Sequence, residues 1–274
     1  MNERSEKKVL LSGKVFRVQG MSGDRYFRDL VHDGAEYSDL PMSFIEKHSA
    51  PDSTILDIGS NIGLHSLAFS VAAPKGRIIA VDASANCTAL LNETIRLNDV
   101  HNIEVVNAAI SDQPGELILE EQAAFLAGSH VHSGEPTTAN AHRIKAVTVD
   151  QLVEERKLDR VDVIKFDVEG FEVKALLGAK QTLLKHRPLC VLELSSFPLI
   201  LNQRELPHHH VDIFRAVFPR VFYLHKPTFE LRELKTDGDV HQFLGYHLVS
   251  GLVDDLVGLW GELPPVSEHF NRAR

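Results

Sequence analysis

The chain has 274 residues, of which 43% are hydrophobic and 24% are charged. This composition is ordinary for a globular protein and allows a core large enough for a full parallel sheet. The formal net charge is −9, and the sequence contains no long cluster of lysine and arginine. Because affinity for a phosphate backbone depends on basic patches, the composition disfavours nucleic acid as the substrate.

The sequence also suggests a compartment. The polar N-terminus is not followed by the apolar stretch of a secretory signal, and no apolar run approaches the ~20 residues needed to cross a bilayer. We expect Cys87 and Cys190 to be buried, unpaired side chains in a reducing environment. The sequence therefore predicts a cytoplasmic protein without a membrane span.

From Ser53 onward, short β-branched runs alternate with helical stretches, which is typical of a parallel sheet with crossover helices. Parallel strands are predicted at 54–58, 77–82, 103–106, 162–167 and 189–194. Helices are predicted at 62–72, 85–98, 149–157, 171–185 and 211–218, and a further helix at 254–263. Shorter strands are predicted at 115–119 and 146–149, and a hairpin at 221–225 and 229–234.

Two segments do not follow this alternation. Residues 1–50 are irregular and are expected to form a cap over the carboxyl edge of the sheet, next to a catalytic domain at 51–274. Residues 121–142 are rich in small and polar residues without periodicity, which predicts a mobile loop.

The first candidate site segment runs from Leu56 to Gly63, where an apolar strand leads into two glycines and then a helix. Glycine lets backbone N–H groups approach a ligand closely. The spacing differs from the G-x-G-x-x-G pattern of dinucleotide sites, and Asp57 lies in the strand end. A carboxylate is unfavourable beside a pyrophosphate but suits an ammonium group, so a ligand with an amino-acid moiety is indicated.

A second acid, Asp82, ends the next strand. A carboxylate at this position can accept both hydroxyls of a ribose. The alternative is that Asp82 caps the following helix. The preceding glycine turn favours the ligand contact.

A third acidic segment, 165–172, lies where the fourth strand meets its helix. This is the crevice where open α/β sheets usually bind ligands. For Glu172 we favour a structural role, in which the carboxylate interacts with the helix dipole. For Asp167, which follows the strand directly, we favour a functional role.

Together these segments resemble the FkbM family of class I methyltransferases, which use S-adenosylmethionine. The resemblance covers about 55–197, and its most family-specific part is 164–172; the other matching parts are 56–63, Asp82, 107–112 and 148–152. It implies a Rossmann-like α/β fold. The central sheet would be mostly parallel with an antiparallel C-terminal hairpin, and helices would cover both faces.

The resemblance also implies roles for individual residues. The glycine turn would line the methionine half of the cofactor, Asp82 would hold the ribose, and residues 107–108 would lie near the adenine. Asp167 would border the methyl donor and the acceptor pocket. The residues expected to bind the cofactor are Asp57, Gly59, Ser60, Asn61, Gly63, Asp82, Ala83, Asn107, Ala108 and Asp167.

Members of this family are mostly O-methyltransferases, so the resemblance implies in-line methyl transfer to a hydroxyl of a small molecule, sugar or polyketide. Such a hydroxyl is a weak nucleophile, and a nearby base would assist it. The expected catalytic residues are Asp167 and Glu193, followed by Glu169. Glu193 is a candidate because it interrupts an otherwise apolar strand. His65 is also a candidate base, although we favour a structural histidine that caps the glycine turn.

Metal-free transfer is the default expectation. Asp167, Glu169 and Glu193 could form an oxygen-rich site for Mg²⁺, but the sequence offers no further matched ligands. The consecutive histidines at 208–210 are expected in a solvated loop rather than around one zinc ion, because neighbouring residues of an extended segment cannot all face the same point.

Three alternatives remain open. An N-methyltransferase of the same fold is disfavoured because residues 167–170 lack the Asn/Asp-Pro-Pro-aromatic turn of such enzymes. A nicotinamide oxidoreductase is disfavoured by the glycine spacing and by Asp57. The last alternative is a non-catalytic homologue that still binds the cofactor. The sequence does not indicate the acceptor or the oligomeric state.

Overall fold

The computed structural model describes residues 3–265, so the outer ends of the predicted cap and domain, 1–2 and 266–274, lie outside the described residues. The N-terminal segment contains a hairpin of β1 (Arg4–Leu11) and β2 (Lys14–Met21), a π-helical turn (Tyr26–Leu30) and α1 (Leu40–His48). The side chain of Asp39 caps α1 by accepting a hydrogen bond from the Met42 amide at 2.9 Å.

The first half of the main sheet agrees with its predicted bounds to within two residues. Its elements are β3 (Thr54–Ile58), α2 (Leu64–Ala72), β4 (Arg77–Asp82), α3 (Ala85–Leu97) and β5 (Ile103–Asn107). All five residues of β3 are buried, as expected of a strand covered on both faces. Ser84 caps α3 by accepting a hydrogen bond from the Cys87 amide at 3.2 Å.

A second, four-stranded sheet follows. Its strands are β6 (Ala109–Ile110), β7 (Gly115–Glu120), β8 (His130–His132) and β9 (Ala141–Val147), in the order β6-β9-β7-β8. The prediction that 121–142 lacks regular structure is therefore wrong, because this segment contains β8 and a 3-10 turn at Leu126–Gly128. Leu126 and Val131 order it by burying their side chains. Its mobility stays a prediction.

The chain then returns to the main sheet through α4 (Val149–Glu155), β10 (Val163–Phe166), α5 (Glu172–Leu177), α6 (Lys180–His186) and β11 (Leu189–Ser195). The single helix predicted at 171–185 is divided into α5 and α6. The Asp150 carboxylate accepts hydrogen bonds from the amides of Gln181 and Thr182 at 2.9 and 2.8 Å, and this interaction fixes the start of α6.

The remaining elements are a helical turn α7 (Ser196–Pro198), a π-helical turn (Leu199–Gln203), α8 (Pro207–Val217), β12 (Arg220–His225), β13 (Glu230–Glu233), α9 (Asp237–Val249) and β14 (Val253–Leu259). The helix predicted at 254–263 is wrong, because most of this segment forms β14. The strand lies between β11 and β12 and hydrogen-bonds to both. These long-range pairings decide its conformation, and local periodicity could not reveal them.

The prediction of a solvated loop at 208–210 is also wrong. The three histidines lie in the first half of α8, which begins at Pro207. His210 is buried, and its Nε2 lies 2.6 Å from Glu205 Oε2. Burial lowers the pKa of His210. This histidine is therefore a packed and hydrogen-bonded core residue.

The main sheet has the strand order β13-β12-β14-β11-β10-β3-β4-β5. The five strands from β11 to β5 are parallel. At the C-terminal end each neighbouring pair is antiparallel, so β14 and β13 run against the five strands and β12 runs with them. This confirms the predicted mostly parallel sheet with antiparallel C-terminal strands. From β3 the chain adds β4 and then β5 at one side of the sheet. It later returns to β3 and places β10 and then β11 on the opposite side. The gap between the carboxyl ends of β3 and β10 is thus the position where such folds bind ligands.

Apolar layers cover both faces of this sheet. Leu56 and Ile58 of β3 contribute to one layer, which includes α4 to α6, whereas Ile55 contributes to the other. This alternation is the two-residue period of a strand. The second layer also contains Phe16 and Phe27, so the N-terminal segment shares the core of the sheet domain. Within residues 3–265, none of the helices has both the length and the apolar character needed to traverse a bilayer.

Candidate active site

A cavity of about 470 Å³ opens at the carboxyl edge of the sheet. Its walls come from the ends of β3, β4 and β10, from β11 and β14, and from the N-terminal segment. The volume lies within the range of roughly 300–1,000 Å³ that is usual for small-molecule sites. This cavity includes most of the residues predicted to bind a ligand.

The glycine turn after β3 forms one wall of the cavity. The amides of Gly59 and Ser60 both donate to the Val81 carbonyl of β4, at 2.8 and 2.9 Å. Gly59 has a φ of +84°, and a Cβ atom added there would lie 1.6 Å from the Asp167 carbonyl oxygen. Only glycine fits between these two strands. The buried Ser60 Oγ has no hydrogen-bond partner within residues 3–265, so it is available to a ligand.

Asp82 links this turn to the end of β4. Its Oδ2 accepts a hydrogen bond from the Asn61 amide at 2.7 Å, and its Oδ1 accepts one from the Ser84 amide at 2.8 Å. Burial raises the pKa of Asp82 to about 6. The alternative in which Asp82 caps α3 is wrong, because Ser84 occupies that position. Asp82 lines the cavity, and each oxygen retains a lone pair for a ligand.

The next wall contains two of the predicted cofactor residues, Ala83 and Ala108, which line the cavity with small apolar surfaces. Asn107 does not line it. Instead, its amide group donates to the carbonyls of Asp82 and Ala83 at 3.0 and 2.9 Å. Asn107 therefore fixes the backbone of the wall rather than contributing to its surface.

Asp57 lies behind the glycine turn and also does not line the cavity. It is fully buried and accepts a hydrogen bond from Ser66 Oγ at 2.5 Å. Its other oxygen lies 3.7 Å from Lys165 Nζ, which is 2.8 Å from Asp167 Oδ2. Burial lowers the pKa of Lys165, but the charges of Asp167 and Asp57 outweigh this effect and raise it. Lys165 thus joins the two aspartates as a cation.

Lys165 was not among the site residues predicted from the sequence. The signal was present, since Lys165 lies between Ile164 and Phe166 in a buried strand. A lysine in such a position requires charged partners.

The three predicted catalytic carboxylates lie close together. One oxygen from each of Asp167, Glu169 and Glu193 lies within 4.8 Å of the others. Burial and the neighbouring Asp167 raise the pKa of Glu169 to about 8. The same two effects raise the pKa of Glu193 well above its usual range. The structure thus groups these acids in the wall of the cavity, while their catalytic role stays a prediction.

Glu172, adjacent to this cluster, has the structural role favoured from the sequence, although through different contacts. Its Oε1 accepts hydrogen bonds from the amides of Val168 and Gly170, at 2.9 and 3.0 Å. Glu169, between them, has a left-handed φ of +54°, which is unusual for a residue with a side chain. Glu172 holds this strained loop and so fixes where the Glu169 carboxylate lies.

The N-terminal segment adds a polar network that the sequence analysis missed. His65 Nε2 lies 2.6 Å from Asp39 Oδ2, which also accepts a hydrogen bond from the Tyr37 hydroxyl at 3.1 Å. The Tyr37 and Tyr26 hydroxyls are 3.1 Å apart. His65 therefore pairs with Asp39 and does not cap the glycine turn as expected. Residues 1–50 lacked the periodicity that would have placed the tyrosines.

The pKa shifts of His65 and Asp39 favour an ion pair between them. Burial lowers the pKa of His65, but the Asp39 charge outweighs it and raises the pKa. Burial raises the pKa of Asp39, yet the His65 charge and hydrogen bond dominate and lower it to about 2. Both residues line the cavity, so the N-terminal segment contributes the carboxylate of Asp39 to the site.

Asp255 is a further carboxylate missed from the sequence, because its segment was predicted to be helical. It lies on β14 directly opposite Glu193 of β11 and lines the cavity. Its side chain is 8% exposed, and burial followed by the charges of Asp39 and Asp167 raises its pKa to about 7. The antiparallel pairing of β11 and β14 thus brings a fourth acid to the cluster.

A Ser–His–Asp chain lies nearby but outside the cavity. Ser196 Oγ and Asp254 Oδ2 each lie 2.7 Å from a ring nitrogen of His247. These three residues are at most 1% exposed, so a substrate cannot reach the serine. These hydrogen bonds connect α9 to the end of β11 and the start of β14, and so support the wall that carries Glu193 and Asp255.

Comparison with known proteins places these features in a family. The model of the "Methyltransferase FkbM domain" matches residues 57–219, which is more than half of the chain. Hexuronic acid methyltransferase AglP of Haloferax volcanii is 26% identical over 170 residues, which cover 62% of this chain and 62% of that protein. The 2-O-methyltransferase NoeI of Sinorhizobium fredii is 26% identical and covers 53% of this chain and 64% of its own length.

Other similarities cover less of the related protein. AMB antimetabolite synthetase AmbE of Pseudomonas aeruginosa is 28% identical, but the match spans 8% of that protein. The crystal structure of the FkbM methyltransferase of Methylobacillus flagellatus superposes with a TM-score of 0.49 at 14% identity, covering 76% of this chain and 44% of the other. The chain thus spans less than two thirds of the length of these relatives. The extent of the domain match shows that the chain belongs to the FkbM methyltransferase family.

Proposed function

We propose that this methyltransferase transfers the methyl group of S-adenosylmethionine to a hydroxyl of a small-molecule or saccharide acceptor. The observation that carries the proposal is the position of Asp82. Its carboxylate faces the cavity from the tip of β4, while the Asn61 amide ties it to the glycine turn. A carboxylate held in this way can accept both hydroxyls of a ribose.

The residues of the cavity fit this cofactor. Among the described residues, Ser60 Oγ has no hydrogen-bond partner, and the glycine turn that carries it would hold the methionine half together with Gly59, Asn61 and Gly63. Ala83 and Ala108 offer the apolar surface that suits an adenine ring. Asp57 and Asn107 act indirectly in this proposal, since Asp57 supports the turn and Lys165, and Asn107 supports the wall.

The bound cofactor supplies an activated sulfonium methyl group, so the chain has to position the acceptor and remove its proton. Asp167, Glu193 and Glu169 lie close together in the cavity and are candidates for this task. With the cofactor bound, the acceptor oxygen would bond to the methyl carbon as the carbon–sulfur bond breaks, and the electron pair would return to sulfur. The hydroxyl proton passes to a carboxylate of the cavity, for which Asp167 and Glu193 are the first candidates.

The names of two relatives support an oxygen acceptor on a sugar. One relative is a hexuronic acid methyltransferase and the other is a 2-O-methyltransferase. The cavity also suits a hydroxyl, because a weakly acidic nucleophile benefits from a nearby base by about 10²–10⁴-fold.

Calorimetric titration with S-adenosylhomocysteine and with NAD tests cofactor binding. We expect the thioether nucleoside to bind with a one-to-one stoichiometry and NAD to show no heat. Binding of NAD alone would overturn the proposal. Asp82→Asn, which keeps the shape of the side chain, is expected to weaken nucleoside binding by at least tenfold, given that a hydrogen bond to a charged group contributes about 1.5–3 kcal/mol.

The acceptor and the base are tested by transfer of a labelled methyl group to a panel of uronic acids, neutral sugars and amines. We expect products only with hydroxyl acceptors, and labelling of amines alone would show that the oxygen assignment is wrong. Asp167→Asn and Glu193→Gln should each lower kcat while leaving affinity for S-adenosylhomocysteine within a few-fold. The exposed Glu154 of α4 provides the matched control, Glu154→Gln. Full activity in both cavity variants would refute the base assignment.

A further inference from the structure

We infer that Asp167, Glu169 and Glu193 bind a divalent cation of the Mg²⁺, Mn²⁺ or Ca²⁺ class, which holds the oxygen atoms of the acceptor. The inference rests on the proposed function and specifies how its acceptor is bound. The three ligand oxygens lie no more than 4.8 Å apart. Two oxygens on opposite sides of Ca²⁺ are about 4.6–5.2 Å apart, and about 4.0–4.2 Å apart around Mg²⁺. Separations within this bound are compatible with three ligands of one Ca²⁺ and would have to shorten by side-chain movement for Mg²⁺.

Asp255 gives an independent indication of a cation. Its carboxylate is more than nine-tenths buried and lines the same cavity, directly across the β11–β14 pair from Glu193. Within residues 3–265 its side chain forms no hydrogen bond or ion pair. A buried carboxylate without a partner is costly, and a cation in the cavity would compensate it.

The charged residues around the cluster allow such a cation to bind. Lys165 is the basic side chain in contact with the cluster, and its Nζ lies 2.8 Å from Asp167 Oδ2. The same ammonium group is 3.7 Å from Asp57 behind the cavity, so its charge is shared. Lys165 contacts one oxygen of Asp167 and leaves the other for a ligand. Within residues 3–265, Glu169, Glu193 and Asp255 therefore have no basic side chain paired with them, and a bound cation would favour the ionised form of these carboxyl groups.

The ligand set also indicates the kind of acceptor. Three carboxylates are hard oxygen donors, which favour Mg²⁺, Mn²⁺ and Ca²⁺ over softer metals. Three protein ligands leave about three of the usual six or more positions open. Two neighbouring oxygens of one molecule can fill such positions, so the site selects acceptors with vicinal hydroxyls or with a hydroxyl beside a carboxylate.

This assignment changes the roles of the acids in the transfer. Coordination to the cation makes the acceptor hydroxyl more acidic. Its proton passes to Asp255, the carboxylate of the cluster that is not a ligand. The oxygen bonds to the methyl carbon as the carbon–sulfur bond breaks, and sulfur regains the electron pair.

Titration of Mn²⁺ into the EDTA-treated chain, followed by electron paramagnetic resonance, tests the site without reference to activity. We expect one bound Mn²⁺ per chain and displacement by Mg²⁺ or Ca²⁺. Glu193→Gln and Glu169→Gln should each weaken binding by at least about tenfold, whereas Glu154→Gln should remain within twofold. Circular dichroism and an unchanged affinity for S-adenosylhomocysteine show that each variant is folded.

Two results would overturn the cation site: no bound Mn²⁺ at millimolar concentration, or equal binding by Glu193→Gln and Glu154→Gln. Titration of S-adenosylhomocysteine into the same metal-free sample separates this inference from the proposed function. Nucleoside binding without Mn²⁺ binding would reject the cation site and leave the proposed cofactor intact. Mn²⁺ binding without nucleoside binding would reject the cofactor and leave the cation site.

Discussion

Gly59→Ala is the substitution whose effect follows most directly from the geometry of the site. The added Cβ would lie 1.6 Å from the Asp167 carbonyl oxygen and 2.7 Å from its carbon. The obstacle is backbone rather than a flexible side chain, so the turn after β3 and the end of β10 have to move apart. Overpacking of this kind costs about 1–3 kcal/mol. The φ of +84° adds about 1–2 kcal/mol for a residue with a Cβ. We expect Gly59→Ala to lower the free energy of unfolding by about 2–5 kcal/mol in total.

Gly34→Ala is the matched control. Gly34 has a φ of +75°, but a Cβ there would meet nothing within 4 Å. Gly34→Ala should therefore lower the free energy of unfolding only by the cost of the positive φ, about 1–2 kcal/mol. Urea unfolding of both variants measures the difference, and calorimetry should show weaker binding of S-adenosylhomocysteine in Gly59→Ala alone. Equal loss of stability in the two variants would refute the argument from close approach.

The remaining predictions concern the charged groups of the cavity. Because burial raises the pKa of Asp82 to about 6, protonation below that pH should remove the ribose acceptor, so affinity for S-adenosylhomocysteine should fall as the pH drops from 7 to 5. Asp82→Asn should be insensitive over this range, and an equal pH response in the variant would contradict the assignment. Lys165→Met leaves the fully buried Asp57 without its cation, which should lower the free energy of urea unfolding by about 3–5 kcal/mol; a change below 1 kcal/mol would show that the lysine is not needed. The His65–Asp39 pair has a raised histidine pKa and an aspartate pKa of about 2. Its stabilisation should be complete between about pH 4 and 6.5, and lost as the pH rises through the histidine pKa or falls towards 2. Urea unfolding as a function of pH should show this profile flattened in His65→Asn, and an unchanged profile would exclude the ion pair.

The parallel half of the fold was predictable because its signals are local. β3 and β4 are short apolar runs followed by a glycine and ended by an aspartate, respectively, and their burial on both faces agrees with their composition. The polar residues at the strand ends meet at one edge because parallel strands share their direction. For this reason Gly59, Asp82 and Asp167 could be assigned to one site from the sequence.

The rest of the site depends on contacts between distant parts of the chain. Asp255 joins the cluster only because β14 pairs with β11, and the tail has the apolar spacing of a helix as well. Asp39 reaches His65 across 26 positions from a segment without periodicity. Asp57 illustrates the reverse case, since its position in the motif suggested ligand contact whereas its side chain lies behind the turn. Local sequence patterns show neither the side of the turn to which a side chain such as Asp57 points nor which distant segments come into contact.

A crystal structure with S-adenosylhomocysteine tests the central claim, that the cavity at the ends of β3, β4 and β10 holds a methyl-donor nucleoside. The account predicts ribose hydroxyls within hydrogen-bond distance of the Asp82 carboxylate and a sulfur atom facing Asp167 and Glu193. A nucleoside bound elsewhere on the chain, with the glycine turn left unoccupied, would contradict it.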